Sequence, residues 1–255
     1  MKKHIASVSF GKDSLAMLLL ILETRQPLDE VVFFDTGMEF QAIYDIRDKV
    51  KPILEKNGVI YTELVPPRPF LYDMLECPHT RRKDGITTYG YGWCGGACRW
   101  GTGIKKRVIN KHTAGAHVYV GIAADEPLRL ANLDSDKSSP IANAGMTEAD
   151  CLQYCYQRGY FWEESGIKLY DVLDRVSCWC CRNKNLKELR NIYWSLPEYW
   201  ERFRFLQDNI SIPLRRDGAS VFDLEDRFLL EKEWINSGKQ INTRAFYDAL
   251  KEMKS

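Results

Sequence analysis

With 255 residues, 45% of them apolar, the chain can bury a substantial core, as one large α/β domain or a domain with a sizeable appendage. A formal charge of +1 argues against a polyanion-binding surface over the whole molecule and leaves room for a local basic patch. Met1-Lys2-Lys3-His4 runs straight into a strand without a signal-peptide core, and no stretch reaches the length of a membrane span, so a cytoplasmic protein with no membrane partner is expected. In a reducing compartment, eight cysteines point to metal, cluster or thiol chemistry instead of a disulfide framework.

The chain opens on Ile5-Ala6-Ser7-Val8-Ser9-Phe10-Gly11-Lys12-Asp13-Ser14, followed by the apolar run Leu15 to Leu22. A β-rich run that breaks at a Gly beside small hydroxyl residues and then becomes a helix-length apolar segment predicts strand, tight loop and helix N-terminus. Unpaired N–H groups of the first helical turn, the helix dipole, the Lys12 charge and the Ser9 and Ser14 hydroxyls make that loop an anion site. Asp13, an acid where phosphate oxygens should sit, makes most sense as a ligand of a Mg²⁺ ion that bridges them.

Leu28 to Phe34 is a short apolar run, as expected for a buried parallel strand, and it ends in the turn Asp35-Thr36-Gly37. Ligands of open parallel sheets sit beyond the carboxyl ends of the strands, which places this turn beside the first loop. Glu39 to Lys56 has helical spacing with Asn57-Gly58 as its stop, and Val59 to Val65 is a third strand. Three β units with helical crossovers predict a Rossmann-like layered sheet.

From Pro66 to Thr102 the composition turns to Pro, Gly, Arg and aromatic residues, an insertion whose length and aromatic content favour an ordered, functional segment. Ile104 to Lys111 resumes as a helix with Lys105, Lys106 and Arg107 near its start, where cations oppose the dipole unless an anion sits nearby. His117 to Gly121 is a fourth strand, Asn132 to Ser139 a polar connection, and Met146 to Gly159 a helix capped by Thr147. Leu186 to Ser255 is helical, with aromatic-rich faces that serve as core or as the contact of a homodimer. The expected division is therefore 1–185, with the insertion 66–102, and 186–255.

Cys178 and Cys181 have the knuckle spacing of zinc or iron–sulfur ligands, and Cys94 and Cys98 form a second, Gly-interleaved pair. Together they make a four-thiolate site, with Cys180, Cys77, His79, Cys151 and Cys155 as substitutes; an iron–sulfur cluster is preferred over zinc because Trp93, Trp100 and Trp179 would shield it. Cys151 and Cys155, four apart on one helix face, also suit plain burial.

Ser9-Phe10-Gly11-Lys12-Asp13-Ser14 resembles the SGGKDS pyrophosphate loop of the PP-loop ATP pyrophosphatases and phosphoadenosine phosphosulfate (PAPS) reductases, with Phe10 in place of the first Gly; the Walker A spacing is absent. Asp35-Thr36-Gly37 resembles the DTG after the second strand of PAPS reductases. Gly121, Glu126 and Arg129 match their G-x-R-x-x-E-S-x-R segment, whereas Ala123 and Pro127 replace its first Arg and its Ser, and the C-terminal ECGLH motif is missing. The resemblance implies an adenine nucleotide over the sheet, its phosphates at Ser9 to Ser14 with Mg²⁺, and Lys12 and Asp13 in the chemistry. It fits ATP-dependent sulfur transfer through an adenylated intermediate, with Cys180 or a cluster holding the sulfur. The alternatives are a PAPS or adenylylsulfate reductase that releases sulfite, and a non-catalytic nucleotide sensor. The sequence leaves the sulfur acceptor open: a nucleic acid is suggested only by the local charge of Arg81-Arg82-Lys83, Lys105-Lys106-Arg107 and Arg215-Arg216, and a sulfur-donor protein is the other candidate partner.

Overall fold

The computed structural model describes residues 2–93 and 98–253. The chain folds as two compact units, Met1–Phe70 with Ala97–Trp179, and Leu71–Gly96 with Cys180–Ser255. Much of the segment expected as an insertion of the first domain thus groups with the C-terminal helices.

The first unit is an α/β layer built on a parallel five-stranded sheet. In chain order its strands are β1 (His4–Ser7), β2 (Glu30–Phe34), β3 (Ile60–Leu64), β4 (His117–Val120) and β5 (Lys137–Ser138), arranged β3-β2-β1-β4-β5. Register is set by Ala6, which lies between Val31 and Tyr119. β2 is buried along its whole length because both of its faces are covered, which is why it reads as an unbroken apolar run. Its one charge, Glu30, is 2% exposed and accepts hydrogen bonds from Lys3 and Thr62 and pairs with His112.

Helices flank the sheet: α1 (Lys12–Glu23), α2 (Gln41–Lys56), α3 (Lys105–His112) and α4 (Glu148–Gln157). α1 is apolar around most of its circumference and buries Leu15, Ala16, Met17, Leu18, Leu19 and Ile21 between the sheet and α4. Thr147 caps α4 through a reciprocal box with Asp150, as its sequence position predicts.

The segment expected as a plain polar connection, Asn132 to Ser139, contains β5, whose two residues pair with Val118 and Tyr119. Two polar residues carry no alternation, so the pattern could not announce that edge strand.

In the second unit, a hairpin of Pro78–Thr80 and Thr87–Tyr89 precedes four helices, α5 (Leu186–Ser195), α6 (Pro197–Asn209), α7 (Val221–Asn236) and α8 (Arg244–Glu252). Its core is the aromatic cluster of Tyr193, Trp200, Phe203 and Phe228, with ring centroids 5.1–5.9 Å apart. No helix of the described residues is long and apolar enough to cross a membrane.

Candidate active site

The strand order reverses direction at β1, whose neighbours are β2 and β4, and ligands of open parallel sheets bind at such a switch point, beyond the carboxyl ends of the strands. The Ser9–Ser14 loop leaves β1 there and enters α1. Phe10 takes the position of a glycine in conformation as well as in alignment, with φ +57°, while its ring is fully buried against Phe33, 5.2 Å away, and Tyr61, 6.4 Å away. Burial of the ring offsets the left-handed backbone, a cost of about 1–2 kcal/mol for a residue with a Cβ. Phe10→Gly is therefore expected to lose roughly 2–4 kcal/mol, and Phe10→Ala about 1 kcal/mol more because it keeps the strain and loses the ring. Denaturant unfolding of the two variants checks this; a Gly variant as stable as the parent would remove the packing argument.

The loop is tied down from three sides. Ser14 Oγ accepts the Ser9 amide at 3.1 Å and lies 3.0 Å from Ser9 Oγ. Trp162 Nε1 donates to the Phe10 carbonyl at 2.7 Å, and the Lys12 amide donates to Tyr170 Oη at 2.9 Å. The Lys12 amide, one of the first-turn amides expected to face an anion, is thus bonded within the protein, as is the Ser9 amide before the helix.

Lys12 is only 8% exposed, and its Nζ donates to Asp13 Oδ1 at 2.9 Å and to Glu148 on α4. Burial opposes its charge, but the hydrogen bonds to Glu148 and Asp13 prevail and raise its pKa. Burial pushes the Asp13 carboxyl above the usual carboxylate range, against the pull of Lys12 and with the repulsion of Glu148 and Glu126 added.

Two cavities meet over this loop and share Ser9, Ser14, Gly121 and Arg129. The smaller, about 400 Å³, lies on Gly11, Lys12, Asp13, Glu148 and Tyr170. The larger, about 750 Å³, has apolar walls of Val8, Val120, Ile122, Leu128 and Leu133, with Lys105, Lys106 and Lys137 at its rim. Gly121 ends β4 so close to α1 that a Cβ there would lie 2.7 Å from Ser14 Cα.

Glu126 accepts the Ala123 amide at 3.2 Å and pairs with Arg129, so both residues stand at the cavities. Asp35, Thr36 and Gly37 line neither. Asp35 accepts the Gly37 amide at 2.7 Å and the Tyr44 hydroxyl at 2.8 Å, while buried Thr36 donates to Glu39 at 2.9 Å.

Cys94 lies outside the described residues. Cys98 Sγ accepts the Gly101 amide at 3.1 Å and caps a π-helical turn, Arg99–Ile104. Cys178 Sγ lies 3.7 Å from Glu39 Oε1 and 3.6 Å from Thr36 Oγ1. In the second unit Cys180 is buried and Cys181 half-buried. Among the described residues no group of three or more His, Cys, Asp or Glu side chains is placed to hold a metal ion. Cys151 and Cys155 are fully buried; burial pushes the Cys151 thiol up to about 12, and Cys155 higher still, so both behave as apolar packing under α1.

Residues 3–64 match the family model of the phosphoadenosine phosphosulfate reductase domain, the stretch that contains the loop and the first three strands. This supports the likeness to the PAPS reductase-like family of the PP-loop superfamily over that stretch. Over more of its length the chain is similar to two uncharacterized proteins of Methanocaldococcus jannaschii. It is 23% identical to MJ0066 over 79% of this chain and 41% of that protein, and 25% identical to MJ0973 over 82% of this chain and 51% of that protein. The chain thus spans about half the length of the curated relatives it matches, or less.

Proposed function

We propose that the chain is a PP-loop enzyme that binds ATP and transfers sulfur through an adenylated intermediate. The observation that carries this reading is the pair of confluent cavities at the switch point, a polar one of about 400 Å³ on Lys12 and Asp13 and an apolar-walled one of about 750 Å³ beside it. A nucleotide laid across them would put its triphosphate over the loop and its adenosine against Val120, Ile122 and Leu128. Asp13 and Glu148 would hold Mg²⁺, since that ion takes one or two carboxylates and completes its shell with phosphate oxygens and water. Bound there, it would neutralise charge on the departing pyrophosphate. Lys12 would meet the same charge from the protein side, and Ser9 and Ser14 would orient the phosphates by their hydroxyls. An acceptor oxygen attacks the α-phosphorus and pyrophosphate leaves; the outer sulfur of a persulfide, for which Cys180 loaded by a sulfur-donor partner is the candidate carrier, then attacks the activated acceptor atom and displaces AMP, and an external thiol cleaves the resulting disulfide to free the thiolated acceptor. The acceptor is a nucleic acid or another partner's group.

Protein purified without oxygen and supplied with Mg²⁺ is expected to release pyrophosphate from ATP and no sulfite from PAPS. Sulfite release without pyrophosphate would overturn the reading in favour of a reductase, and tight ATP binding with no turnover would favour a sensor. Iron and zinc analysis of the same preparation decides whether the cysteines hold a metal.

A further inference from the structure

We infer that Glu148 and Tyr170 compete with bound anions for the groups of the loop, so that the loop takes a polyphosphate as its Mg²⁺ complex in preference to the free anion. The inference rests on the nucleotide reading above and assigns the residues that set its selectivity.

Lys12 is the full charge that the loop offers a phosphate, and it is already shared by two carboxylates, Asp13 at 2.9 Å and Glu148. Glu148 comes from another element, 136 residues away in sequence, and α4 is held in place there because the Glu148 amide donates to Asp125 at 3.0 Å. Tyr170 does to the backbone what Glu148 does to the side chain. Its hydroxyl takes the Lys12 amide at 2.9 Å and sits 3.3 Å from where a Cβ on Gly11 would lie, over the first turn of α1.

The charge balance has the same sense. The smaller cavity is lined by three cations, Lys12, Arg129 and Arg175, against four carboxylates, Glu148 and three others. Arg129 is paired with one of them, Glu126. A free polyphosphate would enter a site that already carries one carboxylate in excess. A divalent cation removes that mismatch by giving Asp13 and Glu148 a new partner, which releases Lys12 to the phosphates.

The test uses the full chain, with inorganic pyrophosphate and ATP titrated calorimetrically in EDTA and in excess Mg²⁺, for the parent, Glu148→Gln, Glu148→Asp and Tyr170→Phe. Glu148→Gln is expected to bind metal-free pyrophosphate about tenfold tighter than the parent, and the gain from Mg²⁺ should shrink by the same factor. Glu148→Asp, which keeps the charge, should behave as the parent. Tyr170→Phe should tighten free and Mg²⁺-bound forms alike, because it frees an amide without changing charge. Unchanged or weaker metal-free binding by Glu148→Gln, with the parent still binding Mg·ATP, overturns this inference alone. If neither parent nor variants bind Mg·ATP or pyrophosphate, the nucleotide reading falls and takes the inference with it. Circular dichroism of each variant separates misfolding from lost binding.

Discussion

Lys12→Met is expected to weaken Mg·ATP binding by about a hundredfold, since the loop loses its only full positive charge. It should also destabilise the fold in a pH-dependent way. Removing Lys12 leaves Asp13 and Glu148 facing each other without the cation that both touch. The loss should stay below the roughly 3–5 kcal/mol seen when a fully buried pair is broken, because the Glu148 side chain is 42% exposed and can turn to water.

The sign of the pH dependence follows from Asp13, whose carboxyl burial already holds above its ordinary value. Without Lys12 its folded-state pKa rises further above the unfolded one. An acid in that position costs stability when charged, and the cost disappears as pH falls through the folded-state value. The gap in unfolding free energy between Lys12→Met and the parent should therefore be widest near neutrality and narrow as the pH falls below the raised folded-state value toward the ordinary 3.8. A gap constant over that range would mean that the two carboxylates do not share Lys12.

How much of this site the sequence announces depends on the range of the interaction involved. The strand–loop–helix of residues 4–23 is local: an apolar strand, a Gly and an apolar helix specify it without help from elsewhere. The same holds for the Thr147 cap, three residues from its partner Asp150. Glu148, Trp162 and Tyr170 are different. They meet the loop from 136 to 158 residues away, and nothing in their neighbourhoods marks them; only the acid in the first turn of a capped helix offered a faint signal for Glu148.

Asp35-Thr36-Gly37 shows the opposite case, a turn legible as such whose side chains are taken up by Gly37, Tyr44 and Glu39, partners that a turn motif does not specify. Phe10 reads as a departure from a glycine loop, yet the backbone keeps the glycine-like φ because a buried ring compensates for it. The likeness of residues 3–64 to the PAPS reductase domain covers only the local part of the site. The residues that finish it come from beyond that stretch.

Gly121 supplies the second large effect. The end of β4 passes under the first turn of α1, and a Cβ on residue 121 would stand 2.7 Å from both the Ser14 nitrogen and Cα and 2.9 Å from the Asp13 carbonyl carbon. These are backbone atoms of the anion loop, so no rotamer change can relieve the overlap; either α1 or the strand end has to move. Overpacking of this kind typically costs about 1–3 kcal/mol. Because the displaced atoms carry Asp13 and Ser14, Gly121→Ala should also weaken Mg·ATP binding at least about tenfold.

Gly58→Ala is the matched control. Gly58 has φ +68° and no heavy atom within 4 Å of its would-be Cβ, so Ala there meets the backbone strain alone, about 1–2 kcal/mol, and leaves nucleotide affinity intact. Calorimetric ATP titration and denaturant unfolding of both variants separate the two effects. Equal ATP affinities would mean that the approach of β4 to α1 is a packing constraint and nothing more. A selective loss in Gly121→Ala would tie the position of the loop to a glycine 107 residues beyond Ser14, one that no local motif around residues 9–14 could have named.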